Sequence, residues 1–114
     1  MSKPSDFCLF YVTCENSTQA EDIARILLEE KLCGCVNILP HMTSIYEWNG
    51  ELQKSSEVIM LVKSVSLIKD DLIKRIKQLH SYQIPCIIEL EANALNQDFM
   101  NWLENNITLL KKYS

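Results

Sequence analysis

The sequence predicts an α+β domain in which strands and helices alternate around a long central β-hairpin, with one further helix at the C-terminal side. Three observations predict it. Apolar runs of strand character alternate with amphipathic stretches at helical spacing. An Asn49-Gly50 pair lies between two long extended arms. Glycine and proline are scarce, two and three among 114 residues, so little of the chain is loop.

The elements follow in order. "FCLFYVT", residues 7 to 13, is a short run of apolar, aromatic and β-branched residues and reads as a buried strand. Thr18 and Glu21 have capping-box spacing, which satisfies orphan amides at a helix start. Ala20, Ile23, Ala24, Leu27 and Leu28 then recur on one face, so a helix is expected over about residues 18 to 31, with Gly34 as its stop. Asn49-Gly50 tolerates positive φ at both positions and predicts a hairpin with arms over 35–48 and 51–64. An arm of about 13 residues at ~3.3 Å each is ~43 Å long. A compact domain of this length is only ~34 Å across. The hairpin should therefore overhang its own globule unless Pro40 bends it, carrying Ile45, Tyr46 and Trp48 with it.

A second helix is expected from Val65 or Ser66, with Ile68, Leu72, Ile73, Ile76 and Leu79 inward and Asp70 and Asp71 in its first turn. Pro85 restricts Ile84 to extended conformations and ends that segment. "CIIELEA", residues 86 to 92, is a strand. Asp98 is placed as the cap of a last helix that points Phe99, Trp102, Leu103 and Ile107 inward, and the tail "LLKKYS" is expected to fray. The order βαββαβ plus a helix is the ferredoxin-like arrangement, an antiparallel sheet with helices on one face. The whole chain, residues 1 to 114, is read as one domain.

Composition excludes several function classes. Hydrophobic residues make up 47% and charged ones 23%, which suits a folded globule. The formal charge is -4 with both signs interspersed, which argues against a nucleic-acid partner. No apolar run approaches the roughly 20 residues that span a bilayer. "MSKPSDF" lacks the apolar core of a signal peptide, and five cysteines without a CxxC point to thiols in a reducing compartment, so a cytoplasmic protein is expected.

Several segments together resemble the CutA divalent-ion tolerance family. They are "CVNILP", "SIYEWNGELQKSSEV", "VK" at 62 and 63, "HSYQIP" and "FMNWLENN", spread over roughly residues 7 to 107. The resemblance implies a tightly packed homotrimer of ferredoxin-like subunits, binding of divalent metal such as copper, a role in metal tolerance and no catalytic activity. Two positions depart from the family's pattern. Ser81 stands where proline is usual, and Cys86 stands after Pro85 where glutamate is usual. The first loosens a loop, and the second exchanges a carboxylate for a softer thiol.

Four residues are candidate metal ligands. Cys35 and Cys14 match family cysteines, and a thiolate suits copper or zinc. The competing reading of each is a small buried hydrophobe. Glu57 matches the family's glutamate and enters an apolar strand, where a carboxylate needs a metal, a lysine such as Lys63, or a hydrogen-bond network. His80 matches the family's histidine, and its competing role is a helix C-terminal cap. Cys33 and Cys8 read as packing, His41 as a loop residue, and Trp48 and Tyr82 as subunit contacts. Cys33 and Cys35 are not a redox pair, because residues i and i+2 on a strand stand too far apart. Two functions follow. The first is a homotrimeric divalent-metal-binding protein, with copper or zinc as the ion. The alternative is a trimeric signalling or scaffold module like the nitrogen-regulatory PII proteins, taking a small ligand between subunits. The two glycines include no phosphate-cradling loop, which favours the first.

Overall fold

The computed structural model describes residues 6–107. They form β1 (Phe7–Cys14), α1 (Ser17–Glu29), β2 (Cys35–Trp48), β3 (Glu51–Val65), α2 (Lys69–Leu79), β4 (Ile87–Leu90) and α3 (Gln97–Asn105), with a 3-10 turn at Ser66–Ile68 before α2. The strands lie in the order β2-β3-β1-β4, every neighbouring pair antiparallel. This is the ferredoxin-like arrangement expected from the element order. The frayed tail expected over residues 109 to 114 lies outside the described residues.

Alternation divides the sheet into two faces. Cys8, Phe10, Val12 and Cys14 of β1 and Val58, Met60 and Val62 of β3 point toward the helices. There they pack with Ala20, Ile23, Ala24 and Leu27 of α1 and Leu72 and Ile76 of α2. α3 closes a second cluster, where Met100, Leu103 and Ile107 meet Val65 and Ile68. The other face carries Leu9, Tyr11, Ile59, Leu61, Leu39, Ile88 and Leu90. Among the described residues α3 covers only its end at Phe7, Lys63 and Val65, and Leu39, Ile88 and Leu90 are exposed.

The hairpin forms as its turn residues dictate. Asn49 and Gly50 have φ of 52° and 81°, the conformation of a two-residue turn matched to strand twist. Pro40 does interrupt the ladder. Leu39 pairs with Ile59 and Met42 with Glu57, so Pro40 and His41 together face Val58. This bulge absorbs the missing amide of Pro40 and sets His41 at φ 65° within the strand rather than in a loop. The arm still projects. The molecule measures 50 × 25 × 23 Å with a radius of gyration of 15.0 Å, above the ~13 Å of a compact chain this long.

Helix ends differ from expectation for local reasons. The cap of α1 is Asn16, whose side chain accepts the Gln19 amide, while the Gln19 side chain turns back to accept the Glu15 amide. The exchange is a variant of the expected capping box set two residues earlier, in which Gln19 accepts from the residue before the cap rather than from the cap's own amide. α1 ends at Glu29 with Glu30 as its cap, and the residue that stops it is Lys31, not Gly34. Lys31 takes φ 58°, its amide donates to Leu28 O, and the Leu32 amide donates to Leu27 O. That pair of bonds closes the helix by the Schellman pattern with a lysine in the left-handed position. Gly34 serves packing instead, since a Cβ there would collide with Leu103. At α3 the cap is Asn96, accepting from the Asp98 and Phe99 amides, and Asp98 lies inside the first turn. Trp102 is half exposed, with its ring stacked on Phe99 rather than turned into the core.

Candidate functional site

The bulge, the end of β1 and the segment after α2 meet at one end of the sheet. Thr13 and Cys14 end β1, and Cys14 pairs with Val58 of β3, which brings Glu57 beside them. α2 ends at His80, and the chain then runs over this end before Pro85 redirects it into β4. Glu57, Thr13 and His80 are all buried there, the glutamate only 8% exposed.

The hydrogen bonds form one connected set. The Tyr82 hydroxyl donates to Glu57 Oε2 at 2.7 Å. The Tyr82 amide donates to His80 Nδ1 at 3.0 Å. His80 Nε2 stands 2.7 Å from the Thr13 carbonyl oxygen. A carbonyl oxygen can only accept and a backbone N–H can only donate, so the imidazole carries its proton on Nε2 and accepts at Nδ1. The rings of His80 and Tyr82 lie 4.8 Å apart. His80 thus caps α2 and ties β1 to the segment that carries Tyr82, which in turn holds Glu57.

Electrostatics reinforce this state. Burial first, and then the Glu57 carboxylate as hydrogen-bond partner and as charge, push the Tyr82 phenol well above its ordinary range. Cys14 is fully buried against the helices, and burial followed by the Glu57 and Glu15 charges push its thiol up to about 11. It is a neutral thiol at physiological pH. Lys63, on the same face as Glu57, is six residues away along β3, about 20 Å at the strand rise. Its ammonium stands 5.6 Å from the Phe99 ring centroid. Tyr82 is the partner of Glu57.

Of the four sequence-predicted ligands, the structure brings Glu57, His80 and Cys14 to one end and leaves Cys35 apart. Cys35 pairs with Lys63, and so it also lies about 20 Å along the sheet from Glu57. It is half-buried. Both nitrogens of His80 are engaged by the backbone, and the Cys14 thiol is directed into the core. Among the described residues no three His, Cys, Asp or Glu side chains are grouped so that they could hold a metal ion. The donors of one chain therefore do not fit a closed metal cage. All five cysteines are free.

Sequence reasoning missed what surrounds this end. A cavity of about 830 Å³ runs from Glu57 and Tyr82 along the hairpin face to Tyr46 and Trp48, with Glu15 and Ile84 on its walls. Cys86, half-buried, lies on its margin. The even spacing of Tyr46 and Trp48 on one arm and of Gln53, Ser55 and Glu57 on the other was the available signal, because it sets all five on one face.

Residues 8–106 match the model of the CutA1 divalent ion tolerance protein family. The chain is 41% identical over 93 residues to a CutA homolog of Xenopus laevis, an alignment that covers 82% of this chain and 62% of that protein. The chain thus spans about three fifths of that relative's length. Among solved structures it superposes on the divalent cation tolerance protein of Thermus thermophilus with a TM-score of 0.83 at 37% identity, covering 89% of this chain and 98% of that one. CutA1 from Ehrlichia chaffeensis gives a TM-score of 0.85 at 30% identity over 89% and 94% of the two chains.

Proposed function

From the premise that the chain belongs to the CutA1 divalent ion tolerance family, we propose that it binds divalent cations, copper or zinc, as a stable homotrimer that serves metal-ion tolerance. No catalytic step is assigned to it. The family's name supports the cation, and five free cysteines support a reducing, cytoplasmic setting. One observation carries the assembly. Away from α3, and among the described residues, the sheet face of Leu39, Leu61, Ile88 and Leu90 has no cover and lies beside a projecting arm with exposed Tyr46 and Trp48. An apolar face of that kind, continuous with an aromatic arm, suits burial against sister copies.

The donors of one chain do not make a cage, so the cation site in this reading is completed by a second copy. Cys35 is the ligand best placed for it, being half-buried on the uncovered face. Glu57 is the second, once released from Tyr82. Calorimetric titration of the pure protein with copper and zinc salts, alongside light scattering, tests both parts. The expected result is a trimer whose metal binding is lost in Cys35→Ala and weakened in Glu57→Ala. Unchanged binding in both variants, or the mass of one folded chain at micromolar dilution, would overturn it.

A further inference from the structure

We propose that Asn49, at the tip of the hairpin arm, is a deamidation site whose reaction is gated by the turn that holds it. The site needs no open surface and does not depend on the metal reading. Asn49 is the one asparagine of the chain that precedes a glycine, and both residues are exposed. The Gly50 amide nitrogen attacks Asn49 Cγ. The Cγ–Nδ2 bond breaks, and the proton lost by the amide leaves with the departing ammonia. Glycine suits this closure because it has no β-carbon to crowd the five-membered succinimide. Water then opens the ring, at Cγ to give aspartate or at the backbone carbonyl carbon to give isoaspartate. One water enters and one ammonia leaves, with no oxidant and no cofactor.

The folded turn holds the reacting atoms apart. Asn49 and Gly50 have φ of 52° and 81°, and Trp48 pairs with Glu51 across them, which makes this a type I′ turn. Such a turn sets ψ of its first central residue to about 30°. Ring closure needs the Gly50 nitrogen eclipsed with Cβ about the Cα–C bond of Asn49. At that ψ the two stand nearly opposite, because Cβ and the backbone nitrogen are about a third of a turn apart around the α-carbon. Deamidation therefore waits on opening of the turn, which breaks the Trp48–Glu51 pairing. Isoaspartate then blocks the return. It routes the backbone through Cβ, one methylene longer, and adds a carboxylate to a tip already flanked by Glu47 and Glu51. A two-residue turn does not accommodate the longer link, so the change runs one way. In the trimer reading, on which this last step rests, an arm seated on sister copies keeps the turn closed, and the mark falls on chains left unassembled.

The test is incubation of the intact protein in mildly alkaline buffer, both folded and unfolded in guanidinium chloride. Peptide mass mapping and enzymatic methylation of isoaspartate read the product. Isoaspartate at 49 should form in both samples, at least about tenfold more slowly in the folded one, because a turn open less than a tenth of the time reacts less than a tenth as fast. Asn49→Gly keeps a turn-forming pair and should give no product at this position. Equal rates in the folded and unfolded protein, or a folded protein in which position 49 stays asparagine throughout, would overturn the proposal. Light scattering on the same samples separates it from the assembly reading. If the parent is a trimer and Ile88→Asp reduces it to single chains, the variant should deamidate faster than the parent, and an equal rate would overturn the protective role of assembly. A parent with the mass of one chain would remove the assembly and leave the gap between folded and unfolded protein standing.

Discussion

The Tyr82 hydroxyl and the Glu57 carboxylate, 25 residues apart in sequence, meet at 2.7 Å in a buried corner of the sheet. The bond answers the question raised by a glutamate next to the apolar run of β3, since an unpartnered carboxylate there would cost several kcal/mol. Tyr82→Phe removes the donor and keeps the ring. It should destabilise the fold by about 1–3 kcal/mol, the usual cost of orphaning a buried acceptor. Urea unfolding checks this, and a midpoint equal to that of the parent protein would show that Glu57 finds another partner.

Alkaline pH should unfold the protein early. Burial, as the largest cause in each case, lifts the Cys8 and Cys33 thiols from 9.0 to about 12 and the Cys14 thiol to about 11. The native state therefore keeps protons that the unfolded chain loses above pH 9. The stability these thiols contribute is fully present below pH 9 and drains away as pH rises toward 11 and 12. The slope is on the order of 1 kcal/mol per pH unit for each thiol. Tyr82 adds to the same trend above pH 10, because its shift has the same sign. Urea midpoints under reducing conditions at pH 8 and pH 10.5 should differ clearly. A flat profile would mean that the thiols are hydrated in the native state.

Much of the fold was legible because it is dictated locally. Asn49-Gly50 needs only its own φ preferences to make a turn, and the alternation along β1 and β3 needs only the period of a strand. The misread features depend on contacts remote in sequence. Gly34 looks like a helix stop, but its requirement comes from Leu103, almost seventy positions on. Trp102 fits an apolar stripe, yet nothing in the stripe shows that Phe99 is its partner. The candidate site shows the same division. Glu57, His80 and Cys14 could be named from residue type, but their meeting depends on β1–β3 register and on the path of the chain after α2. The separation of Cys35 depends on that register too.

Gly34 gives a test of close packing. Its amide donates to Lys63 O at the start of β2, and its α-carbon lies against the fully buried Leu103 of α3. Gly34→Ala inserts a methyl into that contact, and Leu103 has no exposed space to retreat into. A loss of about 1–3 kcal/mol is expected from overpacking. The companion change Gly34→Ala with Leu103→Val should recover part of it, because the smaller side chain frees room. Thermal unfolding of the two variants decides the matter. A single variant as stable as the parent would show that α3 shifts freely on the sheet.

Ile88 separates a face that is bare in solution from one that is covered. It lies on the edge strand β4, pairs with Tyr11 on the open face and is 48% exposed in the single chain. If the chain stands alone, Ile88→Asp is a surface change worth within about 0.5 kcal/mol, and the protein unfolds as before. If sister copies cover this face, the same change buries an unpaired carboxylate at each contact, at several kcal/mol apiece. The proposed trimer should then fall apart or melt far lower, while Ile45→Asp, on the opposite face of the arm, serves as the matched control. Light scattering at micromolar concentration reads the mass directly. An Ile88→Asp protein with the parent's mass and melting temperature would remove this face from the assembly.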